Sequence, residues 1–118
     1  MVQPSVSGSF DLCLYSNVTS STGDPLSYLN NVMRSNGELN YGNYSNLEVD
    51  MLLDKMQLEF DIQERNALAE EIVQKVLEDD GYNFIAHLKV SFLMKNNVVG
   101  FNAHPTDYYQ FNKDTYIQ

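Results

Sequence analysis

"SNLEVDMLLDKMQLEFDIQERNALAEEIVQKVLEDDG", residues 45 to 81, carries two helix starts and two apolar stripes in one unbroken run. Ser45 and Glu48 have the S-x-x-E spacing of a capping box, in which the hydroxyl accepts a first-turn N–H and the carboxylate reaches back. Val49, Leu52, Leu53, Met56 and Phe60 then recur at helical spacing. Asp61 and Glu64 repeat the start signal, and Leu68, Ile72, Val73, Val76 and Leu77 form a second stripe that stops before Gly81. The spacing predicts a helical hairpin whose stripes, methionine and aromatic residues included, face one core.

Upstream, residues 1 to 9 combine Pro4, Gly8 and three serines and are expected to be a flexible lead-in. Residues 10 to 118 are expected to form a single segment. "FDLCLYSN" sets Phe10, Leu12 and Leu14 against Asp11, Cys13 and Tyr15, the alternation of a short strand, with Cys13 as a buried, inert thiol. A hydroxyl-rich loop leads to Asp24 and Pro25, where Asp24 caps a helix that runs from Pro25 to about Met33. "RSNGELNYGNYSN" is a polar loop with two glycines and two tyrosines.

Downstream, "GYNFIAHLKVSFLMKNNVVG", residues 81 to 100, alternates again. Tyr82, Phe84, Ala86, Leu88, Val90, Phe92 and Met94 fall on one face of an extended chain, and Ile85, His87, Lys89 and Lys95 on the other. One long strand is expected near residues 82–95, followed by a turn at Asn96 and Asn97, renewed extended chain in "VVGF", and a tail from Lys113. These pieces predict an α/β chain, mixed α+β, with short strands, a helical hairpin and one long strand.

Seven basic against sixteen acidic side chains leave a formal charge of -9, which repels phosphate backbones and anionic membranes and argues against a nucleic-acid partner. One cysteine forms no internal disulfide, no run has the length of a membrane span, and Met1 to Phe10 lacks the pattern of a signal peptide. No G-x-S-x-G, phosphate loop, dinucleotide fingerprint, H-E-x-x-H or paired C-x-x-C occurs, so no enzymatic activity is expected. Asp79 and Asp80 at a helix end read as surface charge. His87 and His104 are the two neutral nitrogen ligands suited to nickel or zinc, seventeen residues apart and in no stereotyped metal spacing.

The order of the pieces carries more. "FDLCLYSN", "GDPLSYL", "NYGNYSNLEVDMLL", "DIQER", "FIAHLK" and "NNVVGFNAHP" together resemble the C-terminal part of the extracytoplasmic solute-binding proteins of peptide and nickel ABC transporters, over about residues 10 to 112. The resemblance implies a partial lobe of a two-lobed periplasmic-binding-protein type II fold, closing by a hinge on ligand. It implies a noncatalytic importer component that delivers chelated nickel to a membrane permease, with the parent protein extracytoplasmic and no covalently bound cofactor. The loop from Asn17 to Asp24 resembles the ligand-facing segment, with Asn17, Thr19 and Asp24 as its ligand-binding residues. Thr19 and Gly23 stand where nickel-type members carry aromatic side chains. "FIAHLK" and "FNAHPTDYY" look like the nickel branch, so His87 is the first candidate metal ligand and His104 the second.

Two alternatives stand beside this one, the first implied by the same resemblance and the second of another class. Di- or oligopeptide binding would use main-chain contacts and Asp24 against an amino terminus, and an autonomous interaction module would use Tyr41, Tyr44, Tyr108 and Tyr109 as anchors. A metal-dependent hydrolase would need a third ligand and an open coordination site. A lobe segment separated from its neighbours is also expected to self-associate as a homodimer or by strand exchange.

Overall fold

The computed structural model describes residues 10–19, 23–89, 91–103 and 111–118. The expected lead-in at 1–9 lies outside them, as do His104, Tyr108 and Tyr109. Among the described residues the order is α1 (Leu26–Val32), α2 (Leu47–Leu58), α3 (Ile62–Glu78), β1 (Val98–Val99) and β2 (Tyr116–Ile117). The architecture is mixed helix and sheet.

Each helix begins where side-chain oxygen meets orphan backbone N–H groups. Asp24 Oδ1 accepts from Leu26 N at 2.8 Å ahead of α1, and Asp61 Oδ1 accepts from Gln63 N and Glu64 N at the start of α3. At α2 the cap is Asn46, which accepts from Glu48 N and Val49 N. Ser45, one residue earlier, instead donates to Ser35 Oγ. The expected capping box does not form: the cap is one residue later, the Asn46 N–H donates to Ser35 Oγ, and the Glu48 carboxylate accepts from Lys75 instead of reaching back. Helix α3 stops in a Schellman arrangement, with Gly81 N donating to Val76 O and Asp80 N to Leu77 O. The left-handed residue there is Asp80, φ 54°. Gly81 is required for a different reason: a Cβ would lie 2.5 Å from the Tyr44 ring.

The three helices enclose one core of Leu29, Val32, Met33, Val49, Leu53, Met56, Leu68, Ile72 and Val76. Phe60, expected on the α2 stripe, falls beyond the helix end and is 89% exposed, and Leu77 is also exposed on α3. Cys13 is half-buried, not buried.

Both long alternating stretches depart from the expected strands. Residues 10–17 and 82–89 with 91–95 carry no regular structure, because alternation makes a segment fit for a sheet whereas a strand also needs a ladder partner. Among the described residues no backbone–backbone hydrogen bond reaches residues 83–94. The expected tail, conversely, contains β2: Val98 pairs with Ile117 and Val99 with Tyr116, antiparallel. Thr115 Oγ1 donates to Gly100 O beside this pair, and Gly100, at φ 75°, has no room for a Cβ against Asp114 O. The radius of gyration is 17.8 Å, against about 13.5 Å for a compact chain of this length, as expected when flanks stand off a core.

Candidate functional site

The ligand-facing loop proposed from the sequence leads from an extended segment into α1. Asn17 is exposed and its Oδ1 accepts from Val18 N, and Thr19 is exposed. Asp24 is already engaged. Its Oδ1 holds the start of α1, and its Oδ2 accepts from Arg65 Nη2. Burial opposes ionisation of Asp24, but the Leu26 N–H and the Arg65 guanidinium hold its carboxyl below the usual carboxylate range.

Arg65 is the residue that the sequence pattern did not single out. From the first turns of α3 its Nη1 donates to the carbonyls of Met56 and Glu59, each at 2.7 Å. These carbonyls belong to the C-terminal end of α2, which favours a cation. Arg65 is 17% exposed and so ties all three helices from one position. An arginine in the first turns of a helix opposes that helix's own dipole, and this was the available signal that its partner lies elsewhere.

A second network organises the loop between α1 and α2. Asn40 is buried; its Nδ2 donates to Tyr44 O at 2.7 Å and Arg34 O at 3.0 Å, and its Oδ1 accepts from Tyr44 N. The Tyr82 hydroxyl reaches Val32 O at 2.7 Å and Asn40 Oδ1 at 3.0 Å. Tyr44 donates through its hydroxyl to Asp79 Oδ2, where Asn46 Nδ2 also donates. These two hydrogen bonds depress the Asp79 carboxyl, while burial and that carboxylate push the Tyr44 phenol well up. Burial pushes the Tyr82 phenol up to about 12, with Tyr28 adding to it. Tyr44 is thus spent on the internal scaffold.

Aromatic surface near the extended segment comes from residues outside the expected loop. Tyr15 and Tyr41 meet edge to face with centroids 5.4 Å apart. Burial raises the phenols of both Tyr15 and Tyr28, with Tyr41 as the further cause for the first and Tyr15 for the second. Tyr15 from the extended segment and Tyr41 from the loop after α1 therefore lie together.

His87 is exposed on the unpaired extended segment. No hydrogen bond or ion pair joins it to Asn17, Thr19 or Asp24 among the described residues. Three or more His, Cys, Asp or Glu side chains in a metal-holding group do not occur among the described residues. No helix among them is long and apolar enough to cross a membrane.

The chain is similar to a nickel-binding protein. That relative is the nickel-binding protein NikA of Staphylococcus aureus (strain NCTC 8325 / PS 47), 25% identical over 109 residues, which make up 92% of this chain and 22% of the relative. The chain therefore spans about a fifth of the length of the curated relative it matches. No protein-family model matches the chain, and no solved structure matches it.

Proposed function

We propose that the chain is the C-terminal part of an extracytoplasmic solute-binding component of an ABC importer, which binds chelated nickel and passes it to a membrane permease. The observation that carries this reading is the similarity to NikA over 92% of the chain, together with the ordered motifs from "FDLCLYSN" to "FNAHP". In this reading the protein is noncatalytic and nickel is cargo. An exposed His87 offers an imidazole nitrogen to a nickel chelate held by other small-molecule ligands, with His104 as the second donor. Asn17 and Thr19 supply exposed polar contacts.

Asp24 bears on the choice between nickel and peptide. A peptide-binding relative would use it against an amino terminus, but here a guanidinium and a helix N–H already occupy its oxygens. That occupancy supports the nickel reading.

Calorimetric titration of the chain with nickel plus free L-histidine, repeated with His87→Ala, tests the proposal. The expected outcome is binding that the substitution weakens tenfold or more, about 1.4 kcal/mol. Heat with a dipeptide and none with nickel would move the chain to the peptide reading. Absence of heat with both would end the solute-binding reading for this chain.

A further inference from the structure

Helix α2 buries one face in the core and exposes three large apolar side chains on the other. Val49, Leu53 and Met56 are buried. Leu47, Met51 and Leu58 share the opposite side at about 100° per residue and are 73%, 56% and 77% exposed; Asp54, paired with Arg34, stands in the same row between Met51 and Leu58. A helix with one side in water is expected to be polar there.

Charge indicates what fits this face. The span 23–80 holds 13 of the 16 acidic side chains and only four of the seven basic ones. Three of those four are already paired: Arg34 with Asp54, Arg65 with Asp24 and Lys75 with Glu48. The occupant of an apolar face on so acidic a body should be apolar and cationic. Residues 82–103 have that composition, with two lysines and no carboxylate side chain. Lys89 and Lys95 are exposed, and the same segment exposes Ile85, Leu88 and Leu93.

We propose that two copies of the chain associate reciprocally, the described residues 83–89 and 91–95 of each docking on the side of α2 that carries Leu47, Met51 and Leu58 in the other. Both halves of the complementary surface are on one chain, so reciprocal docking satisfies both at once and closes as a two-fold dimer. Apolar contact supplies the attraction, and the lysines select the acidic body. The proposal does not rest on the nickel reading.

Sedimentation velocity of the 118-residue chain over a concentration series tests it, with helix content followed by circular dichroism. The expected result is a dimer whose dissociation constant rises tenfold or more when Lys89→Glu and Lys95→Glu are combined, and likewise with Met51→Asp. The lysine pair lies outside every helix, so it keeps the test decisive should Met51→Asp disturb α2. A monomer at every concentration, a dimer indifferent to the lysine pair, or open-ended aggregates in place of a closed dimer would each overturn the proposal.

Discussion

The extended stretches at 10–17 and 83–94 are richer in apolar residues than the span from Asp24 to Tyr82 between them, yet among the described residues it is that span which buries its apolar side chains. In the helical span, Leu29, Leu53, Ile72 and Val76 are essentially inaccessible, and buried side-chain polar atoms without a partner do not occur among the described residues. In the flanks, Leu12, Leu14, Ile85, Leu88 and Leu93 face solvent. The difference lies in where each element's hydrogen bonds come from. A helix satisfies its own backbone and needs only a neighbour for its apolar stripe, whereas a strand depends on another strand for both. The loops from α1 to α2 and from α2 to α3 bring the neighbouring helices together, and no ladder partner for 10–17 or 83–94 stands among the described residues.

The largest expected effect tests that contrast directly. Leu53→Ala leaves a cavity between α2 and α3 and is expected to lower stability by about 2–5 kcal/mol. Leu88→Ala, at a residue 75% exposed, is expected to change it by less than about 0.5 kcal/mol when measured on the monomer, below the concentration at which the proposed dimer forms. Urea unfolding followed by helical circular dichroism measures both. Comparable losses at the two sites would mean that the extended segment belongs to the same cooperative unit as the helices.

Next in size is Arg65→Met, which keeps much of the aliphatic stem and removes the guanidinium. The carbonyls of Met56 and Glu59 lose a donor, and the expected cost is about 2 kcal/mol. The ion pair adds little to this figure, because the Asp24 side chain is 44% exposed and screened by solvent. The Asp24 carboxyl is held below its usual range, so its contribution is present above the unfolded carboxylate pKa of about 3.9 and is lost as pH falls through the folded value. Acid titration of stability below pH about 4 should therefore be shallower in Arg65→Met than in the parent chain.

What the sequence displayed, and what it hid, follows the same division. The helices were legible because the signals are local: Asp24 before Pro25, Asp61 before Gln63 and Glu64, and stripes at three- and four-residue spacing. Ser45 misled by one position because Asn46 beside it is an equally good cap. The long strand was misread because the alternation through Phe84, Leu88 and Phe92 records suitability for a sheet and carries no information about the partner. Tyr116 and Ile117 were overlooked for the complementary reason: two residues show no period, and their pairing with Val98 and Val99 is set by contacts across the intervening loop. Of the candidate site, the exposure of His87 and Asn17 is consistent with ligand contact. The commitment of Asp24 to Arg65 was invisible because the two residues are 41 positions apart.

The smallest expected effect lies at the seam between the two regions, where Tyr82 is the last side chain of the extended segment docked on the helical core. Its hydroxyl satisfies the carbonyl of Val32 at the end of α1 and touches Asn40 Oδ1. Tyr82→Phe keeps the ring packed against Tyr44 and removes only those polar contacts, an expected loss of about 1 kcal/mol. The sign of the pH dependence identifies the hydroxyl as the cause. A phenol raised from its unfolded value of about 10 to about 12 in the folded chain contributes stability that is fully present below the unfolded value and is lost as pH rises through the folded one. Parent chain and Tyr82→Phe should therefore differ most at neutral pH and converge on alkaline titration toward pH about 12. A constant difference across that window would place the effect in the ring's packing, and would make the seam an extension of the core instead of a hydrogen-bonded boundary.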